Sequence, residues 1–256
     1  MTNLTEFWRG RLATHGHTGW ADQKIYEFDQ PCRLQRLAEY LDGTGLKPGR
    51  ALDFGCGSGD FSRLLIRRGW TVVAYDRYVS PRLSNPRMIS TQSFSQVAQQ
   101  GPYDLVISVT VLDCIMDDAE FSDRLKDMGN LLRPNGRFFF LEYAVDVEKQ
   151  RSTYQGFRRF SEWRAHLGEA RLVLSAAVPY FHPQEATIPA WEHYRRMFPV
   201  RALGRLGRLG LPRAAYAWFL RMLHNRCLTS HPYVPPSTSP IKIMTGHALG
   251  RSRPQA

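Results

Sequence analysis

The chain has 256 residues, 43% of them hydrophobic, and a formal net charge of +11. This length suits one large α/β domain with an additional segment, and the composition is ordinary for a water-soluble protein. No basic-then-apolar leader opens the sequence and no uninterrupted apolar run approaches the roughly 18 residues of a membrane span, so we expect a cytoplasmic protein. The cysteines share no C-x-x-C spacing, which favours reduced thiols over a zinc site or a disulfide framework. They are Cys32, Cys56, Cys114 and Cys227.

The first 45 residues are predicted to be largely helical. Leu34, Leu37 and Leu41 recur at helical spacing ahead of a Gly-Thr-Gly turn at residues 43–45. A helix in this position should therefore pack on the sheet that follows.

The stretch ALDFGCGSGD, residues 51–60, is the feature around which the chain is organised. A short apolar strand leads into Gly55, Gly57 and Gly59, and a helical pattern follows directly. Only residues without a Cβ let the backbone turn tightly there and let a ligand lie against bare amides near the helix N-terminus. A second apolar strand then ends on Asp76, where a carboxylate is placed to accept hydrogen bonds from the two vicinal hydroxyls of a ribose.

The glycine spacing and the acid before it distinguish between two classes of nucleotide ligand. The dinucleotide fingerprint G-x-G-x-x-G brings a pyrophosphate to the helix, whereas the spacing here is G-x-G-x-G, and the carboxylate of Asp53 before it would repel a pyrophosphate. An acid at that position suits a ligand with a cationic amino group and a sulfonium. With this acid-x-G-x-G-x-G order, and an acid ending the second strand, the sequence resembles the class I S-adenosylmethionine-dependent methyltransferases.

The resemblance implies S-adenosylmethionine as the cofactor, with its methionine end at the glycine turn and its ribose at the acid of the second strand. Members often carry an acid after the third strand, near the adenine. The sequence there is STQSFSQ, which has no acid, so the polar residues of this stretch become the candidate adenine contacts. The predicted cofactor-binding residues are Asp53, Gly55, Cys56, Gly57, Gly59, Asp76, Arg77, Gln92 and Ser93.

An N-terminal helix covers the cofactor in this family. Trp20, Tyr26 and Asp29 are therefore candidates to line such a cover, and simple packing is the alternative role for them.

The rest of the core follows the family's layout. An apolar run at residues 103–114 is typical of a central strand buried on both faces. Asp117 or Asp118 then caps a helix whose predicted buried face comprises Phe121, Leu125, Met128 and Leu132. An L-R-P-N-G turn, the strand RFFFLEYA, a helix carrying Trp163 and Leu167 inward, the strand ARLVLSAAVPYF and a last strand from residue 240 complete the pattern.

We therefore predict a Rossmann-like, doubly wound sheet of seven strands, mostly parallel, with the last strand antiparallel. The predicted divisions are an N-terminal helical cover (1–45), an S-adenosylmethionine-binding methyltransferase core (46–186), a basic helical insert (187–237), and the last strand with a C-terminal tail (238–256).

The insert holds most of the chain's net charge. Between Thr187 and Ser237 there are eight arginines against one acid, Glu192, which is +7 of the total +11. Arginine rather than lysine favours bidentate contacts to phosphate, and PRAAYAWFLRMLHNRC has the pattern of an amphipathic helix. We expect a helical lid that contacts an anionic acceptor or an anionic membrane surface, and the alternative is an arginine-rich cap with only a structural role.

Polar residues at the carboxyl ends of the strands are the candidates for catalysis, because the acceptor should bind in that crevice. These are Asp113, Glu142, Tyr143 and His182. His182 is the preferred general base for a hydroxyl acceptor, since imidazole titrates near neutral pH. His15 and His17 are rivals, and His182 has the alternative role of shaping a turn. Capping accounts for Asp117 and Asp118, so no metal site is predicted.

The leading functional hypothesis is a methyltransferase that acts at oxygen on a small-molecule or lipid- or carrier-linked acceptor. The family favours oxygen, and no N-P-P-Y-type motif for amino acceptors follows the fourth strand. An RNA methyltransferase is the alternative suggested by the basic pI of about 9.8, although no RNA-binding appendage is recognisable and nucleic acid is not the expected partner. A non-catalytic binding protein of the same fold is the third hypothesis, and the sequence does not predict the oligomeric state.

Replacing Arg201, Arg205 and Arg208 together by glutamine tests the insert. If it recruits an anionic partner, we expect weaker sedimentation with anionic vesicles and a higher KM for an anionic acceptor. Each nearby basic residue contributes about 1 kcal/mol of attraction to such a surface. Neutral vesicles are the control, and an unchanged vesicle affinity, KM and salt dependence would leave the insert a structural role only.

Overall fold

A computed structural model describes residues 3–20, 23–78, 84–146, 154–180 and 239–250. The strands are β1 (Arg50–Phe54), β2 (Thr71–Tyr75), β3 (Met88–Thr91), β4 (Tyr103–Val109), β5 (Leu132–Val145), β6 (Arg158–Arg159), β7 (Leu172–Tyr180) and β8 (Ile241–Ala248). The helices are α1 (Leu4–His15), α2 (Gln23–Thr44), α3 (Asp60–Arg67), α4 (Phe94–Gln100), α5 (Asp118–Leu131) and α6 (Phe160–Glu169), with a short 3-10 turn at Leu112–Cys114.

Seven strands form one sheet in the order β3-β2-β1-β4-β5-β8-β7. The first five are parallel, and β8 runs antiparallel to both β5 and β7. The predicted doubly wound sheet with an antiparallel last strand is confirmed. The two-residue β6, which pairs with the end of β5, was not predicted. The sequence order of the parallel strands changes direction across the sheet between β1 and β4, so a crevice is expected at their carboxyl ends.

Both faces of the sheet are buried under helices. Neighbouring residues of each strand point to opposite faces, so they belong to different cores. Leu52, Val106 and Phe138 belong to the core under α5 and α6, whereas the adjacent residues Ala51, Leu105 and Phe139 belong to the core under α2 and α3. The central strands therefore have the nearly continuous apolar sequence of buried parallel strands.

The helices begin where the sequence provides caps. Asp117 caps α5 by accepting a hydrogen bond from the backbone N–H of Glu120 at 2.7 Å, whereas Asp118 pairs with Arg158. Phe121, Leu125 and Met128 are fully buried, as predicted for this helix. None of the helices in the described parts of the chain is long and apolar enough to cross a membrane.

Candidate functional site

A cavity of about 630 Å³ lies at the carboxyl ends of β1, β2 and β4. The core contributes the glycine turn, the residues that follow β2 and the loop after β4. The N-terminal helices contribute the opposite wall through Leu4, Trp8, Tyr26, Gln30 and Arg33. The cavity therefore lies between the sheet and the cover that the sequence predicted.

The glycine turn is held against the end of β2. Its first two amides, those of Gly55 and Cys56, donate to the carbonyl oxygen of Tyr75 at 2.7 and 2.9 Å. Gly55 and Gly57 have φ angles of 75° and 49°. A Cβ at Gly55 would lie 2.2 Å from the side chain of Val111, and one at Gly57 would lie 2.1 Å from the hydroxyl of Thr18. Both positions require glycine for backbone conformation and for space.

Asp76 is oriented by the same turn. Its Oδ2 accepts from the backbone N–H of Gly57 at 3.0 Å and its Oδ1 from that of Tyr78 at 2.9 Å. The side chain lines the cavity, and a carboxylate can accept about four hydrogen bonds. This position suits the predicted ribose contact.

Asp53 also lines the cavity but is almost completely buried. Its Oδ2 accepts from the hydroxyl of Ser62 at 2.6 Å, which ties β1 to α3. Burial raises the pKa of Asp53 to about 7. A cationic group beside it would favour the ionised form, so its chemistry fits the methionine end of the cofactor, and this contact stays a prediction.

The cover docks on α3 through Asp60. Its Oδ2 accepts from the hydroxyl of Tyr26 at 2.6 Å and from the amide of Gln30 at 3.3 Å. His17 stacks on the ring of Tyr26 with a centroid separation of 3.4 Å. Although burial alone would raise it, hydrogen bonds from Tyr26 and Ser58 hold the pKa of Asp60 below its ordinary value. The ionised carboxylate of Asp60, in the first turn of α3, therefore anchors the cover.

A buried network fixes a cation in the cavity wall. Asp29 is fully buried and accepts from Arg33 Nε at 2.6 Å, from Trp20 Nε1 at 2.5 Å and from the hydroxyl of Tyr180 at 2.8 Å. Arg33 Nη1 donates to Thr110 Oγ1 at 2.9 Å. Trp20 and Asp29 therefore lie behind the wall as packing and pairing residues, and Arg33 lines the cavity.

The strand-end residues predicted for catalysis lie behind the wall as well. Asp113 accepts from the side-chain amide of Gln155 at 2.7 Å, and Tyr143 packs its ring on Phe157. Both are buried, as is Glu142, and none of the three is among the residues that line the cavity. The 3-10 turn after β4 and residues 154–158 together enclose these side chains. Their catalytic roles stay untested predictions.

Burial raises the pKa of two of these carboxyl groups. The pKa of Asp113 rises to about 6 and that of Glu142 to about 8. Glu142 Oε1 accepts from the hydroxyl of Ser108 at 2.7 Å, and both of its carboxyl oxygens accept from the backbone N–H of Val111 at 3.2 and 3.1 Å. Glu142 therefore supports the loop that lines the cavity after β4.

The adenine contacts predicted after β3 do not reach the cavity in this structure. Gln92 and Ser93 are exposed, and the Ser93 hydroxyl hydrogen-bonds to that of Ser95 at 2.8 Å. Arg77 does line the cavity, where it forms an ion pair with Glu120 at 2.9 Å.

The histidines divide between described and undescribed parts of the chain. His15 and His17 are not among the lining residues. His182 and the insert 187–237 lie outside the described residues. No group of three or more His, Cys, Asp or Glu side chains in the described segments could hold a metal ion.

Sequence reasoning missed Gln30 and Arg33 as site residues. Together with Tyr26 they follow the spacing i, i+4 and i+7, so they lie on one face of α2. This polar stripe was a detectable signal. Its partners Asp60 and Thr110 lie far along the chain, and only the fold brings them to it.

Comparison with known proteins identifies the family. The chain matches the family model described as a methyltransferase domain over residues 26–208, which is more than half of its length. The chain belongs to this methyltransferase-domain family. The predicted resemblance to the class I S-adenosylmethionine-dependent methyltransferases is thereby confirmed, and S-adenosylmethionine is the cofactor of this class.

Curated relatives of this chain include ubiquinone biosynthesis O-methyltransferases. The protein from Caulobacter sp. (strain K31) is 33% identical over a match that covers 41% of this chain and 49% of that protein. The protein from Xylella fastidiosa (strain M23) is 30% identical, with 48% and 53% covered. The chain thus spans about half the length of these relatives.

Solved structures share the fold at low sequence identity. The 1,6-didemethyltoxoflavin-N1-methyltransferase of Burkholderia thailandensis has a TM-score of 0.57 at 15% identity, covering 96% of this chain and 85% of that chain. The magnesium protoporphyrin IX methyltransferase of Synechocystis PCC 6803 has a TM-score of 0.52 at 18% identity, covering 71% and 90%. Both likenesses support the Rossmann-like architecture.

The variant Asp76→Ala should bind S-adenosylmethionine much more weakly. It removes hydrogen bonds to a charged acceptor, and each of these contributes about 1.5 to 3 kcal/mol. Titration calorimetry should therefore show an affinity loss of at least about 10²-fold. Asp42→Ala, at an exposed ion pair with Arg68, is the control and should bind like the parent. Unchanged affinity in Asp76→Ala, or binding of NADH by the parent, would contradict the assigned site.

The variant Glu142→Gln should flatten the pH dependence of stability. The folded-state pKa of about 8 exceeds the ordinary value, so the folded protein retains a proton that the unfolded chain releases. Stability is then greatest below the ordinary pKa and is lost as pH rises through about 8.

Urea midpoints measured between pH 5 and pH 9 check this prediction. Glutamine cannot ionise, so the variant should lose less stability across this range than the parent, and Asp53 and Asp113, whose pKa values are also raised, should account for a remaining slope. The control is Glu39→Gln at an exposed site, which should keep the parent slope. A Glu142→Gln slope equal to that of the parent would show that Glu142 is not the titrating group.

Proposed function

We propose that this methyltransferase transfers a methyl group from S-adenosylmethionine to a hydroxyl oxygen of a small, largely apolar acceptor. The observation that carries the proposal is a single cavity with two chemically different walls. One wall presents the glycine turn and Asp76, and the other presents apolar side chains from α1 and from the loop after β4, beside the polar residues of α2.

The residues of the first wall fit the cofactor. Asp76 suits the ribose hydroxyls, the glycine turn lines the cavity beside it, and Asp53 suits a cationic amino group. When bound, S-adenosylmethionine supplies a methyl group activated by a sulfonium. The chain's own contribution is to hold the reacting groups in line and to keep water out, which is where most of the rate enhancement of such a displacement arises.

The second wall supports an apolar acceptor. Leu4 and Trp8 lie one helical turn apart on α1, and Ile115 and Met116 follow the 3-10 turn. Trp8 is supported by Tyr154, whose ring centroid lies 5.9 Å away in an edge-to-face arrangement. Flat aromatic surfaces of this kind favour a ring-containing ligand.

Oxygen as the acceptor atom is supported by the curated relatives, which are named O-methyltransferases. A hydroxyl acceptor must lose its proton as the new bond forms, so a general base is required. We retain His182 for this role. Tyr180 is the last described residue before His182, and Ser239 is the next described residue after it. The Ser239 hydroxyl donates to the carbonyl oxygen of Tyr180.

The position of Tyr180, which precedes the insert in the sequence, supports a role for the insert at the acceptor side. The Tyr180 hydroxyl bonds to Asp29, the partner of the cavity residue Arg33. Tyr180 therefore lies at the cavity end of the sheet, and the sequence that follows it includes residues 187–237, with a net charge of +7. We propose that this charge recruits an anionic acceptor or an acceptor held in an anionic membrane.

An acceptor panel with labelled S-adenosylmethionine tests the function. The panel pairs hydroxylated aromatic compounds, with and without a long apolar tail, with amino analogues of the same shape, and adds bulk RNA as a separate arm. We expect label on the hydroxyl compounds only, with mass spectrometry locating the methyl group on oxygen. Label confined to nitrogen or to RNA would overturn the proposal, and Asp76→Ala serves as the inactive control.

A further inference from the structure

Thr110 has a backbone conformation that its side chain disfavours. Its φ angle is 52°, in the left-handed region that β-branched residues rarely adopt. Among the described residues, Asn135 and Arg171 are the other non-glycine positions with positive φ, and neither lines the cavity, whereas Thr110 does. Strain of this kind persists where surrounding contacts enforce it, and it concentrates at functional sites.

Several contacts enforce the conformation. The N–H of Thr110 donates to the carbonyl oxygen of Leu141 at 2.8 Å, and its Oγ1 accepts from Arg33 Nη1 at 2.9 Å. The N–H of the next residue, Val111, is held by the buried carboxyl group of Glu142. Backbone and side chain of Thr110 are therefore anchored separately, by β5 and by α2.

The hydroxyl of Thr110 retains its capacity to donate. A threonine hydroxyl has one donor hydrogen and two acceptor positions, and Arg33 occupies an acceptor position. Within the described segments of the chain, no group accepts a hydrogen bond from Thr110 Oγ1. A guanidinium that donates to this oxygen also polarises the O–H bond, so the hydroxyl becomes a stronger donor toward the cavity.

The sheet order locates this donor relative to the cofactor site. Asp76 follows β2, the glycine turn follows β1, and Thr110 follows β4, on the far side of β1 from Asp76. Thr110 therefore lies beyond the glycine turn from the ribose contact, where the methionine end of the cofactor and the acceptor should meet.

We propose that the Thr110 hydroxyl, supported by Arg33, is the donor of a site for a negatively charged ligand oxygen. This inference rests on the proposed function for one of its two sources. The oxygen belongs either to the carboxylate of the cofactor's methionine or to the acceptor, whose hydroxyl oxygen gains negative charge as its proton leaves. In both cases Thr110 contacts the ligand directly, and Arg33 acts through it.

Two substitutions separate the hydroxyl from the shape of the side chain. Thr110→Val keeps the volume and β-branching but removes the donor, and Thr110→Ser keeps the donor and removes a methyl group. Thermal unfolding of each variant establishes that it is folded. Losing a hydrogen bond to a charged group should reduce the affected binding by about 10- to 10²-fold in Thr110→Val, and Thr110→Ser should retain most of it.

Three measurements identify the oxygen. They are calorimetric affinities for S-adenosylhomocysteine and for 5′-methylthioadenosine, which lacks the amino-acid part, and kcat/KM for the acceptor. If the cofactor carboxylate is the ligand, Thr110→Val weakens S-adenosylhomocysteine and leaves 5′-methylthioadenosine unchanged. If the acceptor is the ligand, both affinities are unchanged and kcat/KM for the acceptor falls.

The inference is overturned if Thr110→Val matches the parent in all three measurements, or if Thr110→Ser loses as much as Thr110→Val, which would indicate a structural role. A parent chain that methylates no acceptor would instead refute the proposed function. The affinity for S-adenosylhomocysteine then decides the inference alone, and an unchanged value in Thr110→Val overturns it.

Discussion

The close packing of the glycine turn is the constraint on which the site depends. Amides of the turn bond to Tyr75 and Asp76 at the end of β2, so the turn and the predicted ribose acid form one hydrogen-bonded unit. The absence of a Cβ at Gly55 lets Val111 approach from the loop after β4, and its absence at Gly57 lets Thr18 approach from the cover. Three separate parts of the chain can therefore surround one cavity only because these two positions carry no side chain.

The fold and the cofactor side were predictable because their signals are local. The spacing of Gly55, Gly57 and Asp76, and the apolar runs of β4 and β5, depend on neighbours within a few residues. The orientation of side chains at the strand ends was less predictable. Whether Asp113 faces the crevice depends on the 3-10 turn it belongs to and on Gln155, 42 positions away. The orientation of Gln92 and Ser93 likewise depends on the path of the chain after β3.

The acceptor side illustrates what a sequence read alone does not reveal. Arg33 and Thr110 are 77 positions apart, and neither belongs to a motif. The stripe of Tyr26, Gln30 and Arg33 indicates a polar face on α2, but its direction is set by Asp60 and Thr110 on the core. Such pairs become visible only when packing has fixed the two elements, so a polar stripe on a covering helix predicts a site without predicting its partners.

The region behind the cavity wall contains several buried ionisable side chains, so its net charge depends on which of them are ionised. Arg33 is buried beside Asp29, and Asp113 and Glu142 lie buried nearby, so three ionised carboxylates would leave the region strongly negative. Burial raises the pKa of Glu142 to about 8, which favours the protonated form of that group, and it accepts hydrogen bonds from Ser108 and Val111. Protonation of Glu142 would limit negative charge behind Thr110, and a wall balanced in this way could admit an anionic oxygen that three carboxylates would repel.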